Sequence, residues 1–238
     1  MFLALRENQN RVHLGLMLAL TMSTGLIDAV GYLGLDRVFT GNMTGNVVIL
    51  GMALVGADDL PIVGPVVALF GFVVGAAIAG RVLRSVAAGW THHSTALFGF
   101  VGVILIIATV ALAVIGEVHS APVQFAATAS LGLAMGIQAG TARHIAVKDI
   151  TTVVVTSTLT GLAADSRFGG AKKQMWQRRL GAVVLIGLGA AIGAAAIQVH
   201  LSLGLAISAV ITVGVALIGA IGASPSRDSQ AVSTPDRI

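Results

Sequence analysis

The chain has no cysteine, which excludes disulfides, thiolate metal sites and cysteine nucleophiles and leaves the redox compartment open. Charge is scarce as well. Charged residues make up 10% of the 238, against about 25% in a soluble domain. What is abundant is apolar: 56% of residues are hydrophobic, and there are 30 glycines. Ser94 to Gly116, Ser120 to Ala142, Leu180 to Val199, Leu201 to Ser226 and Leu60 to Gly80 contain no Asp, Glu, Lys, Arg or His. Each is close to the roughly 20 residues a helix needs to cross a hydrocarbon core of about 30 Å. Almost none of the chain is therefore expected in a soluble domain, and the fold class is all-α and polytopic.

Catalytic motifs are missing too. There is no Ser-His-Asp order, P-loop, dinucleotide-binding glycine motif or HExxH. An enzyme is not expected, nor a cofactor or a metal site. His92 and His93 sit in a polar loop with Trp90 and lack a third ligand nearby, so they read as an interfacial loop. The net charge is +4, but the basic residues fall in short loops. They read as orientation signals beside a bilayer, not as a nucleic-acid surface. The first apolar segment is too long for the core of a cleaved signal peptide.

Eight hydrophobic segments can be marked: A Leu14–Leu35, B Thr44–Ala57, C Leu60–Gly80, D Thr95–Gly116, E Pro122–Ala142, F Ile150–Ala164, G Leu180–Val199 and H Leu201–Ile221. B and F are short, and each is polar at its start. If all eight cross, nine Lys and Arg lie inside and five outside. If B and F return to the side they entered from, 13 lie inside and only Arg37 outside. The positive-inside rule favours the second arrangement. The expectation is six spanning helices plus two short re-entrant or broken ones. Residues 1–13 then form a cytoplasmic N-terminus, 14–116 and 120–222 two membrane repeats, and 223–238 a disordered cytoplasmic tail.

The halves are weakly alike. Gly25-Leu-Ile-Asp28-Ala29 in A aligns with Gly136-Ile-Gln138-Ala139-Gly140 in E. Thr44-Gly45-Asn46 follows the first, and Thr156-Ser157-Thr158 follows the second. Gly71 and Gly75 in C match Gly189 and Gly193 in G, and small residues at that spacing read as packing faces. Three crossings per half make the 3+3 repeat inverted. Broken helices at matching places in inverted halves point to a substrate site near the midplane.

Two stretches also resemble a known family. Gly25-Leu-Ile-Asp28-Ala29 with Val38-Phe-Thr-Gly-Asn-Met-Thr-Gly-Asn46 is similar to the first signature of the YoaK family of membrane proteins (DUF1275). Met135-Gly-Ile-Gln138-Ala139 with the run from Asp149 to Asp165 resembles its second. The resemblance covers roughly Arg11 to Ile221. It implies a bacterial inner-membrane protein and no particular activity. The family often carries Gln-Asn-Ala where this chain has Gln138-Ala139-Gly140, which weighs against a symmetric polar pair with Asp28.

Seven residues stand out as candidate substrate ligands. Asp28 is a carboxylate deep in A, where charge is costly and seldom faces lipid. It reads as a proton or cation relay or a substrate anchor, or else as a peg between helices. Asn42, Thr44 and Asn46 lie in a break rich in Gly, Asn and Thr, and either coordinate solute or cap helix B. Thr156 and Thr158 offer hydroxyls on F, which equally satisfy backbone carbonyls. Gln138 is a buried amide in E. The leading expectation is a small secondary transporter or permease for a small solute or ion. The alternatives are a channel, or a non-transporting membrane partner or lipid-binding protein. The lipid bilayer is a certain neighbour, and a homodimer suits so small a chain.

Overall fold

The computed structural model describes residues 2–115, 120–145, 155–166, 169–170 and 176–222, with side chains from Arg11 onward. Thr151, Thr152, Lys148, Arg167, Lys172, Lys173 and the tail 223–238 lie outside the described residues. Eight helices follow in order: α1 Phe2–Gly34, α2 Met43–Ala53, α3 Val63–Leu83, α4 His92–Ile115, α5 Ala121–Ile145, α6 Val155–Ala164, α7 Trp176–Ile197 and α8 Leu201–Gly222. No strand occurs among the described residues. The chain is an all-α polytopic membrane protein. Residues 2–13 form the first turns of α1; their Leu, Ala, Arg, Glu and Gln are good helix formers.

Five helices are long and apolar enough to cross a membrane: Arg11–Gly34 of α1, then α3, α4, α7 and Leu201–Ile221 of α8. α5 matches them in length at 25 residues. It is less apolar because it carries Thr128, Gln138 and Thr141, all buried against protein.

Contacts between helix ends settle which helices cross. His13 of α1 stacks on Trp90, just ahead of α4, with ring centroids 5.3 Å apart. Trp90 also abuts Gly219 near the end of α8. At the other end, Gly34 abuts Leu201 at the start of α8. So α1 and α4 begin on one face, and α1 ends on the opposite one. Between Gly34 and Trp90 the chain must cross back an odd number of times. α3 does this once, starting beside Val38 at Gly64. A crossing by α2 as well would put α4 on the wrong face. α2 has 11 residues, about 16 Å of rise, and returns to the side where it began.

The second half behaves in the same way. Ala142 and Ile145 at the end of α5 pack with Leu16, Met17 and Trp90 near the first face. α7 runs parallel to α1, with Gly189 on Met22 and Gly193 on Leu26, so it starts on that face too. α6, with 10 residues, lies between two first-face ends and does not cross. The crossings are therefore α1, α3, α4, α5, α7 and α8. Arg11, Arg81, Arg84, Arg143, Arg178 and Arg179 stand at first-face ends, and Arg37 at the second.

Glycine sets the two tightest crossings. On α3, a Cβ at Gly71 or Gly75 would meet the carbonyl of Ala129 or Leu133 on α5. On α1, a Cβ at Gly25 would meet the carbonyl of Ile186 on α7. Helices approach backbone to backbone there, which small residues alone permit. Ser23 of α1 adds hydroxyl contacts to Ser208 and Thr212 of α8, in a fully buried cluster.

Candidate functional site

The site starts where α1 stops. Leu35 and Val38 both donate to the Gly31 carbonyl, and Arg37 to that of Tyr32. Asp36 and Arg37 take left-handed φ of 65° and 57°, which turns the chain back along α1. The returning strand then reaches Asp28. Its Oδ1 accepts N–H bonds from Thr40 at 3.0 Å, Gly41 at 2.7 Å and Asn42 at 3.3 Å. One carboxylate oxygen thus gathers three main-chain donors ahead of α2. None of these bonds goes to Oδ2.

Asn46 secures the same turn from the other side. Its amide accepts from Phe39 N at 2.9 Å and donates back to the Phe39 carbonyl. It is fully buried. Asn42 caps α2 weakly, accepting from Gly45 N at 3.4 Å.

A cleft of about 510 Å³ opens against this turn. Of the expected ligands, Asp28, Asn42, Thr44 and Thr156 line it. The starts of α2 and α6 thus face one space. Asn46 and Thr158 do not line it. Asn46 spends its amide on Phe39, and Thr158 is buried in the packing of α6. Gln138 stands one step away: its Nε2 donates to Thr24 Oγ1 at 3.0 Å, and Thr24 lines the cleft. Thr160 returns its hydroxyl to the Thr156 carbonyl at 2.9 Å.

The α1 span Arg11–Gly34 is centred near Ser23, whereas Asp28 lies six residues, about 9 Å, before Gly34. The carboxylate sits nearer the second-face end of the α1 span than its centre. Thr24 holds the central depth.

Sequence reasoning passed over Thr24, Tyr32, Phe39 and Ile186, all of which line the cleft. Thr24 and Tyr32 lie four residues before and after Asp28, so helical spacing alone puts them on its face. Tyr32 is also the only tyrosine in the chain. Its ring stacks on Phe39, with centroids 4.9 Å apart and an interplanar angle of 27°. Phe39 and Ile186 carry no such signal, because the fold-back of residues 35–42 and the α1/α7 crossing bring them in.

Other singled-out groups lie elsewhere. Arg179 pairs with Asp165 at 2.9 Å, tying α7 to the end of α6. His92 and His93 are exposed, and the described residues hold no cluster of three or more metal-binding side chains.

The family model described as "Protein of unknown function (DUF1275)" matches residues 16–218. The chain belongs to the DUF1275 family. Both turn-forming residues, Asp28 and Asn46, fall inside the region matched to DUF1275. The chain is also similar to the UPF0700 transmembrane protein YoaK of Bacillus subtilis (strain 168), 30% identical over 154 residues. That match covers 63% of this chain and 65% of YoaK, just under two thirds of the relative. No solved structure matches.

Proposed function

We propose that this DUF1275 protein is a small secondary transporter of the bacterial inner membrane, carrying a small solute through the cleft beside Asp28. One observation carries the reading: the polar starts of two half-membrane helices, at Thr44 and Thr156, line a single cleft with an intramembrane carboxylate. Broken helices that meet at a shared space are the usual setting of a transport site.

The helix pattern supports an inverted repeat of α1–α4 on α5–α8. α1 rests on α7 as α5 rests on α3. Gly25 meets the Ile186 carbonyl, and Gly136 meets that of Phe72. Gly189 meets the Met22 carbonyl, and Gly75 meets that of Leu133. These crossings pair Gly25 with Gly136 and Gly75 with Gly189. In this register Asp28 corresponds to Ala139, so the carboxylate belongs to one half only. The first face, with six of the seven arginines whose side chains are described, is the cytoplasmic one by the positive-inside rule. Both chain ends then lie in the cytoplasm.

The chain lacks cysteine, so single cysteines can be placed at will. Thr44→Cys and Thr156→Cys, in liposomes, are challenged with a membrane-impermeant maleimide from either side. Alternating access predicts that each is labelled from both sides. Labelling of both positions from one side alone rejects transport through this cleft.

A further inference from the structure

We infer that the cleft beside Asp28 takes a small organic monocation, an ammonium group held by Asp28 Oδ2 against the ring wall of Tyr32 and Phe39. The inference rests on the transport reading of the same cleft and names its solute class. Four observations converge on it.

Charge comes first. Among the described residues of the lining, Asp28 is the only one with a formal charge, and no Lys, Arg or His accompanies it. An anion would face an uncompensated carboxylate at close range, where low dielectric makes repulsion large. A single positive charge balances the site.

The carboxylate is already half engaged. Three N–H groups converge on Oδ1. That clamp fixes the orientation of the group and leaves Oδ2 as the oxygen able to accept from a ligand. A donor such as R–NH₃⁺ matches an acceptor-only oxygen.

The wall beside it is aromatic. Tyr32 and Phe39 stack on each other and both line the cleft. A ring pair next to one carboxylate is the pattern that attracts ammonium groups through ring quadrupoles.

Size suits an organic ion better than a bare one. A cleft of about 510 Å³ lies in the range of small-molecule pockets, roughly 300–1,000 Å³. Apart from the Asn42 amide, the rest of its lining is apolar or hydroxyl-bearing, with Val48, Ile49, Val155 and Ile186 suited to a short alkyl chain.

The test uses three probes of one size and three charges: butylammonium, butanol and butyrate. Binding to the full-length protein in nanodiscs is measured by calorimetry, with ligand-induced thermal stabilisation as a second readout. The expected result is butylammonium binding with neither control. Asp28→Asn keeps an Oδ1 to accept the three N–H groups, so the turn survives while the charge is lost. It should weaken butylammonium at least about 30-fold. Tyr32→Leu should weaken it about 3- to 10-fold, and Tyr32→Phe should restore it. Tyr32 lies part-exposed and gives the turn only its main-chain carbonyl, so its side-chain variants report even if Asp28→Asn misfolds. Preference for butanol or butyrate overturns the cation class while leaving transport through the cleft standing. No binding of any probe, or butylammonium binding indifferent to both variants, also overturns it. The two-sided thiol labelling, which needs no solute, then judges transport on its own.

Discussion

Gln138 Nε2 donates to Thr24 Oγ1 across 3.0 Å, and this bond joins α5 to α1 one turn below the Asp28 carboxylate. Thr24 in turn donates to the Leu20 carbonyl at 2.9 Å, so its hydroxyl is used in both directions. The Oε1 of Gln138 is buried and has no partner. Replacing Gln138 by Leu therefore removes one bond and one unsatisfied acceptor together. The two effects oppose, and the expected change in stability is within about 1 kcal/mol. Gln138→Glu should cost several times more, because it buries a charge with no cation nearby. Thermal unfolding of the two purified variants checks the order.

The Asp28 clamp makes a second prediction. Asp28→Ala leaves the N–H groups of Thr40, Gly41 and Asn42 without their acceptor, whereas Asp28→Asn does not. Ala should lower stability by about 2 kcal/mol or more relative to Asn, since stranded buried donors carry a full desolvation cost. Equal melting temperatures would show that the turn does not depend on Oδ1.

Asn46 and Asn42 look alike in sequence and differ in structure. Asn46→Ala deletes two buried bonds to Phe39, with an expected cost of about 2–3 kcal/mol. Asn42→Ala deletes one exposed bond of 3.4 Å and should cost under about 1 kcal/mol. Limited proteolysis within residues 35–42 should rise for the first variant only.

The glycines divide in the same way. A Cβ at Gly75 would collide with the Leu133 carbonyl, while one at Gly80 meets nothing within 4 Å. Gly75→Ala should destabilise by about 1–3 kcal/mol through overpacking. Gly80→Ala should be neutral or stabilise by up to about 1 kcal/mol through helix propensity. Detergent-melting curves that do not separate the two variants would argue against the α3/α5 crossing.

These contrasts also show what the sequence could and could not reveal. Uncharged runs and the placement of Arg and Lys were enough for six crossings and two half-helices, because bilayer thickness and loop charge act on the sequence directly. Asp28 and Thr44 were legible as rare polar residues in an apolar setting. The role of Asn46 was not, since its partner is the main chain of Phe39, reached only through the reversal at Asp36 and Arg37. Thr158 likewise reads as a ligand until the packing of α6 buries it.

The central structural claim is that α2 and α6 each return to the face they leave from, so that their starts share one cleft. Impermeant maleimide labelling of single cysteines in vesicles of known orientation tests it most directly. Asp36→Cys and Val55→Cys bracket α2, and Arg143→Cys and Gly170→Cys bracket α6. The prediction is that Asp36→Cys and Val55→Cys label from one side, and Arg143→Cys and Gly170→Cys from the other. Labelling of Asp36→Cys and Val55→Cys from opposite sides would contradict it, because α2 would then cross the membrane.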